Sequence, residues 1–482
     1  MLAFADAAVA WGGDALPRLE VDGPLDSTIR LEIVNRLRGE FVDWFATAPT
    51  SSTPTFRYDF IGNKFQAGVR VTRGPHQIFA QFQDSTVALL PTDGIGPGAS
   101  YYDNTARTLQ NGTILRNAWA GTTRLFGVQG LTARAGRQLY SDAMEAKARS
   151  TTLQWIQANR LGQRLVGPFD YTHAGRSFDG ATFGVDSLRG NANAFYFKPT
   201  FGGFEVNANP ELNINLAGAS VNLSEAEEAP SALLRNSIAR LFWIYYDDDR
   251  DIVFLDNRPL AVRQADRGQP AELHTFGASA AHFEAAGPGF VDTTAYGFAQ
   301  MGEWQSLRQQ AWAYGVEVGY QLADVWAEPW MRVGINSGSG DQNPNDGLHQ
   351  TFFQMLPTAW LYAPFPFYNM MNNQDVFAQW ILEPHPTTSL RLDFHWLRVN
   401  SANDLAYSGG GATQNAVFGY GGTSADGRNE LAYLVHFLVS VRPTEFLTFN
   451  AFYAHAFGQG VIAANFEGDD GNYGYLESIV SF

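Results

Sequence analysis

The sequence predicts an all-β protein, a transmembrane antiparallel β-barrel of about 18 strands (16–18) with a polar, Arg-rich lumen. Three observations predict it. Apolar and polar residues alternate with a period of two over many runs of roughly 9 to 11 residues, the length that crosses a bilayer as a tilted strand. One parity of these runs is continuously apolar and aromatic, while the other carries Arg, Glu, Asp, Gln and Gly, a pattern suited to lipid outside and water inside. No run approaches the roughly 18 apolar residues of a membrane-spanning helix; blocks such as Leu241 to Tyr246 are far shorter. Backbone groups in lipid must be paired within the structure, so such a sheet has to close on itself. A soluble propeller or β-helix requires a fixed repeat of roughly 20 to 50 residues, and none is found.

The elements follow in order. Between Arg30 and Phe45, Leu31, Ile33, Leu37, Phe41 and Phe45 share one parity, and Arg30, Glu32, Arg36, Arg38 and Glu40 share the other. Lys64 to Thr72 sets Phe65, Ala67, Val69 and Val71 against Lys64, Gln66 and Arg70, and Gln77 to Gln83 sets Ile78, Ala80 and Phe82 against three glutamines. Asp142 to Ile156 lacks turn residues and predicts a short helix within a loop. Ser224 to Ala239 begins with Ser and an acidic first turn and predicts a helical excursion near 224–239. In the second half Trp312, Tyr314, Val316, Val318 and Tyr320 alternate with Ala, Gly and Glu317. Val325, Met331, Val333 and Ile335 oppose Glu328, Arg332 and Asn336. Leu390, Leu392, Phe394 and Trp396 oppose Arg391, Asp393 and His395, and Leu431 to Val441 gives an apolar row. Pro91 to Ser100, Ser337 to Gly347 and Ser408 to Gly427 read as long loops between shorter turns, the asymmetry of outer-membrane barrels. Leu476, Val480 and Phe482 share a parity, so the chain ends on an aromatic strand, as such barrels commonly do. No linker divides the sequence, and 1–482 reads as a single domain.

Composition agrees. Of 482 residues only 17% are charged and 14% are aromatic, whereas about a quarter of a typical soluble domain is charged. The net charge of −16, with no strongly basic block, argues against a nucleic-acid binder. The absence of cysteine excludes disulfides, thiolate metal sites and a cysteine nucleophile. Three of the 32 basic residues are lysines (Lys64, Lys147, Lys198), leaving 29 arginines, a bias that suits planar carboxylate or phosphate recognition and that a GC-rich genome also produces. The start, MLAFADAAVA, has neither a basic n-region nor a full apolar h-region and reads as a mature terminus rather than an intact signal peptide.

The polar clusters fall on the lumen parity: Arg36, Arg38 and Arg70 early, Arg134 and Arg137 in LTARAGRQ, Arg176 and Asp179 in GRSFDG, then Glu328, Arg332, Arg391, Asp393 and His395. Guanidinium forks pair with carboxylates in bidentate geometry, so each residue taken singly is expected to fill a polar interior in a neutralising pair, and the set together to line a charged pore. In YYDDDR, alternation points Asp247, Asp248 and Asp249 to opposite faces, so a solvated strand end is expected over a metal cluster. SGSGDQNPNDG has the composition of a calcium loop without EF-hand spacing. No cofactor and no metal site is expected, with calcium in that loop the exception left open. His395, His436 and His455 are scattered, and neither G-x-S-x-G nor H-E-x-x-H occurs. The chain therefore does not read as an enzyme, although a barrel hydrolase assembled from neighbouring strands stays open.

Taken in order, IRLEIVNRLRGEFVDW, AGRQ, NRLGQRLVG, RSFDGATFGV, NAFYFKP, LFWIYYDDDR, SGSGDQNPNDG, TFFQMLPT, FYNMMNNQDVF, LRLDFHWLRV and AFYAHAFGQG resemble the alginate export family of outer-membrane porins. The resemblance implies an integral bacterial outer-membrane protein, a monomeric 18-stranded barrel constricted by loops, with export of an anionic polysaccharide (alginate-like) or its oligomers through an arginine-lined pore. It carries Arg137, Arg176, Asp179, Arg391 and Asp393 onto the conduit; Arg36, Arg38, Arg70 and Arg332 join them by parity. The implied partners are the polysaccharide, outer-membrane lipid and a periplasmic export machinery. The sequence departs from the pattern at His436, where members often carry an acid. Its net charge is acidic, whereas an alginate conduit wants a positive lumen: with the acids (Glu225 to Glu228, Asp247 to Asp249, Asp469, Asp470) in loops the lumen stays positive, and otherwise the substrate need not be alginate. Two alternatives stay open: a general porin taking up small anionic solutes, and an outer-membrane barrel enzyme such as a lipase or protease.

Overall fold

The computed structural model describes residues 19–47, 54–225 and 235–482. Eighteen antiparallel strands form the barrel. The first nine are β1 (Ser27–Asp43), β2 (Arg57–Arg73), β3 (His76–Ala88), β4 (Leu109–Thr122), β5 (Leu131–Gln138), β6 (Phe178–Ser187), β7 (Gly190–Pro199), β8 (Ile214–Leu223) and β9 (Ser237–Asp248). The remainder are β10 (Ala271–Ala286), β11 (Gly289–Trp304), β12 (Leu307–Gln321), β13 (Trp330–Gly338), β14 (Asn373–His385), β15 (Thr388–Val399), β16 (Glu430–Thr444), β17 (Leu447–Gly458) and β18 (Asp470–Ser481). Each strand pairs with its sequence neighbour, and β18 pairs with β1 from Val34↔Ser481 to Asp43↔Asn472, so no edge is left open. At that seam Phe482 exchanges both backbone hydrogen bonds with Ile33, at 3.0 and 2.8 Å, and its ring stacks on Phe446.

The two parities separate as alternation requires. Leu31, Leu37, Phe65, Val69, Ile78, Phe82, Trp312, Val316, Met331, Val333, Leu392 and Phe394 are exposed on the outer face, while Arg36, Arg38, Glu40, Lys64, Gln66, Gln83, Glu317, Arg332, Arg391 and Asp393 are buried in the lumen. Outward aromatics meet across strands, as Phe394 does with Tyr433 at 6.0 Å, which is how a sheet gains cross-strand stability. One end of the barrel carries two-residue connections at 74–75, 188–189, 287–288, 386–387 and 445–446. The other carries 89–108, 139–177, 339–372 and 400–429, which contain the three segments expected to be long loops except Ser337 and Gly338, the last residues of β13. Short turns mark the periplasmic end and long loops the outer end.

The loops supply the interior that the strands alone leave polar. Residues 155–178 are buried throughout, and 351–373 are buried except Pro364. The expected helix in 142–156 is observed as α2 (Thr151–Ile156), preceded in the chain by α1 (Pro97–Thr105); the Ser150 hydroxyl caps α2 by accepting the Leu153 N–H. The two inward loops pair with each other: Gly167 N–H donates to Leu356 O at 2.8 Å and Leu356 N–H to Leu165 O at 2.9 Å. The loop 400–429 contributes a hairpin, Leu405–Gly409 with Tyr420–Ser424, whose Tyr420 hydroxyl donates to Gln354 O. Of the helical excursion expected near 224–239, residues 226–234 lie outside the described residues; Ser237 to Ala239 are not helical and open β9.

Candidate functional site: the lumen and its constriction

Alternation along β1 aims Arg36, Arg38 and Glu40 inward one above the next, and they meet the loop segment 169–173. Arg36 donates to Asp170 O at 2.8 Å and to Thr172 O, and Arg38 donates to Tyr171 O at 2.9 Å. Glu477 of β18 balances them, 2.7 Å from Arg38 and 3.5 Å from Arg36. The Asp170 carboxylate lies 2.7 Å from Arg116 of β4 and 3.2 Å from Lys64 of β2. Burial raises the Asp170 carboxyl, but Arg116 and Lys64 outweigh it and hold it down at about 2. His173 bonds Glu40 at 2.7 Å; burial lowers the imidazole to about 4 despite that carboxylate. Gly62 makes room for the His173 ring, since a Cβ there would lie 2.3 Å from it. Four strand cations and two strand carboxylates thus dock one loop segment.

A second cluster lies where α2 and its continuation, Gln157–Leu161, face β11 to β13. Arg160 makes a bidentate pair with Glu317 at 2.7 and 2.8 Å, the fork-to-fork geometry that favours arginine. Arg164 is 3.5 Å from the same carboxylate and lies between two phenol rings, its guanidinium carbon 3.6 Å from the centre of Tyr362 and 4.2 Å from that of Tyr296. Arg332 sits 2.7 Å from Asp292 and 3.5 Å from Glu317. Three guanidinium groups here face two carboxylates. A third cluster, on β14 to β16, holds Arg391 against Asp393 at 2.6 Å and against Tyr362 O at 3.1 Å.

The remaining expected residues are placed differently. Arg70 faces the lumen near the periplasmic end, paired with Glu32 at 2.8 Å and 4.2 Å from the centre of Phe79. Arg134 is exposed at the same end, over Trp119. Arg176 is fully buried in the loop 139–177 and donates to Gly410 O at 3.1 Å; burial lowers it to about 10. Arg137 and Asp179 are corrected: they are register partners joined at 2.7 and 2.5 Å on the outward parity of β5 and β6, shared with exposed Phe183 and Val185. Arg134 and Arg137 stand three residues apart on an unbroken β5, so alternation alone puts them on opposite faces. Arg134 takes the lumen side and Arg137 faces out, while a β-bulge in β4 leaves both Arg116 and Asn117 buried in the lumen. Glu328 is also corrected: it lies in the periplasmic connection 322–329 at φ 40°, not on a strand.

In YYDDDR the alternation is observed, but Asp248 is not solvated: it forms a buried pair with Arg250 at 2.7 Å, while Asp247 accepts from Asn215 at 3.0 Å and Asp249 is exposed. Glu225 is also buried, accepting the Ser150 N–H at 2.8 Å, while Asp469 and Asp470 are exposed. In the acidic turn, Asp341 and Asp346 accept backbone N–H groups of Asn343 and Leu348.

Sequence parity missed Arg116, which sits at the bulge, and Arg160, Arg164 and Asp170, which lie on loops where no period exists. Arg160 and Arg164 do stand in the NRLGQRLVG motif.

A closed 18-stranded barrel with an apolar outer face and a charged interior narrowed by its outer loops is an integral outer-membrane protein of the porin class. More particularly, residues 231–455 match the family described as Alginate export, the family that the motifs resemble. The motifs before residue 231 lie outside that match. A search of curated proteins finds no match. Among solved structures the chain is similar to OccK9 (OpdG) of Pseudomonas aeruginosa and to OccAB2 of Acinetobacter baumannii. Each is 9% identical with a TM-score of 0.57, over 94% of this chain and 98% of theirs. OccD3 (OpdP) of Pseudomonas aeruginosa is similar at 9% identity and a TM-score of 0.55, over 97% of this chain and 93% of its own. At such identities the likeness is one of fold. The closed barrel and the Alginate export match over residues 231–455 together support an outer-membrane β-barrel channel.

Proposed function

We propose that the channel passes an anionic polysaccharide, or oligomers of it, through a constriction lined by guanidinium groups. The observation that carries this reading is the pair of clusters in which cations outnumber acids around the inward loops. Arg36, Arg38, Lys64 and Arg116 stand against Glu40, Asp170 and Glu477, and Arg160, Arg164 and Arg332 against Asp292 and Glu317. The Alginate export match supports the polymer as cargo. Distributed charge-assisted bonds let a carboxylate-bearing chain bind and leave stepwise, where one tight site would stall it. The export direction, a monomeric state, the contact with a periplasmic machinery and the absence of a resident cofactor or of calcium in the 337–347 turn belong to the same proposal.

A second reading is uptake of small carboxylates. Its support is the interlocking of three outer loops inside the lumen and the likeness to a solved structure of OpdK with vanillate, 9% identical with a TM-score of 0.54. Channel block in a planar bilayer separates the two. Oligomannuronate that blocks the current more strongly as it lengthens, while neutral glucan does not, supports the polymer path. Block by monocarboxylates alone would replace it with the small-solute path. Hydrolysis of lipid or peptide by the purified chain, abolished by one Ser or His substitution, would move the protein to the barrel-enzyme class.

A further inference from the structure

His395, His436 and Asp393 come from adjacent strands β15 and β16 and face one point on the lumen wall. The two imidazole Nε2 atoms are 3.2 Å apart, and Asp393 Oδ2 is 3.1 Å from His436 Nε2 and 3.9 Å from His395 Nε2. Among the described residues this is the group of His, Asp and Glu whose ligand atoms converge within 4.8 Å. Ligands at about 2.0–2.1 Å around a tetrahedral Zn²⁺ lie roughly 3.3 Å from one another, so the nitrogens already stand at the edge length of such a polyhedron. At His395 the outer shell matches as well, while His436 Nδ1 is buried without a partner. His395 Nδ1 bonds Asp375 Oδ1 at 2.9 Å, and Asp375 Oδ2 accepts the Tyr368 hydroxyl at 2.9 Å and Asn336 Nδ2 at 3.3 Å. A carboxylate on the far nitrogen fixes the proton on Nδ1 and turns the Nε2 lone pair toward the ion, the arrangement by which proteins orient metal-binding histidines.

A second observation is independent of the convergence. All three residues are 1% exposed, yet Asp393 Oδ1 and the neighbouring Gln379 Oε1 are buried with no donor opposite them. Buried lone pairs without partners are costly, and here one lies on a converging residue and the other on Gln379, whose Nε2 donates to Asp393 Oδ2 at 3.0 Å. Arg391 holds Asp393 Oδ2 at 2.6 and 2.9 Å, which leaves Oδ1 as the carboxylate's unused donor atom.

The geometry points to a transition-metal site at His395, His436 and Asp393, for Zn²⁺ or a cation of like preference. Two imidazoles and one carboxylate select such ions over Ca²⁺ and Mg²⁺, which take oxygen. The ion joins β15 to β16 and, through Asp375 and Tyr368, steadies the end of the inward loop 339–372. The sequence hides the site because the histidines are 41 residues apart, and only the register that pairs Asp393 with His436 unites them.

The test uses the untagged full chain in detergent, stripped with chelator and titrated with Co²⁺, whose visible absorption reports a four-coordinate nitrogen and oxygen environment. The wild type is expected to take one Co²⁺ per chain, displaced by Zn²⁺. His395→Gln and His436→Gln are expected to weaken binding more than 100-fold, and Asp375→Asn 10- to 100-fold. Heat-modifiable gel mobility verifies that each barrel is closed, and His455→Gln serves as a control that keeps full binding. A wild type that takes up no Co²⁺ or Zn²⁺, or folded His395→Gln and His436→Gln barrels that bind as the wild type does, would overturn the assignment and leave a hydrogen-bonded histidine pair.

Discussion

Replacing Asp170 by asparagine should undock the inward loop without opening the barrel. The Asp170 carboxylate answers Arg116 at 2.7 Å and Lys64 at 3.2 Å, and both cations are buried on strands. Removing one member of a buried ion pair costs about 3–5 kcal/mol, because the partner stays charged and desolvated. The asparagine carbonyl retains one acceptor, which places the effect near the lower figure. At about 1.4 kcal/mol per tenfold, the docked segment loses on the order of a hundredfold in population. Asp170 takes no part in the backbone ladder between strands, so heat-modifiable mobility should be unchanged, while proteolysis within 139–177 accelerates and single-channel conductance rises. Gly62→Ala perturbs the same docking from the other side, by driving a methyl into the His173 ring, and should act in the same direction. Wild-type conductance and protease resistance in a folded Asp170→Asn channel would refute the reasoning.

Arg134→Gln, at the exposed periplasmic mouth, should reduce anion selectivity with no loss of fold, whereas Arg137→Ala, on the outer face, should leave selectivity unchanged; reversal potentials in a salt gradient read both. Acid should also release the loop. Burial holds His173 at about 4 against roughly 6.5 when solvated, so its share of docking is fully present above pH 6.5 and is lost as pH falls toward 4. That share is at most about 3 kcal/mol. Asp170, held at about 2, stays ionised throughout, while Asp142 and Asp404, raised by burial to about 6, favour docking as they protonate. Conductance measured from pH 7.5 to 4.5 should therefore rise more steeply in the wild type than in His173→Gln; parallel curves would remove His173 from the docking.

The wall of the barrel was legible because a strand between lipid and water must repeat every two residues. Arg36, Arg38, Arg332 and Arg391 sit where parity puts them. Arg137 was carried onto the conduit by motif, whereas strict alternation from Arg134, three residues earlier on an unbroken strand, already places it outward. Parity failed at Glu328 because a turn has none. The constriction was out of reach for a different reason. Asp170 meets Lys64 across 106 residues and Arg160 meets Glu317 across 157, and such pairings depend on how loops fold back into a lumen. The same holds for His395 and His436, which look unrelated until the strand register is known.

On the proposed function the lumen, and not the net charge of −16, sets what passes. The reversal potential of the purified channel across a KCl gradient measures this directly. Anion selectivity is expected, because the two clusters around 169–173 and 160–164 each hold one more cation than acid, while Asp249, Asp469 and Asp470 are exposed. A cation-selective current would contradict it, since the protein's overall charge and not its guanidinium lining would then govern the path.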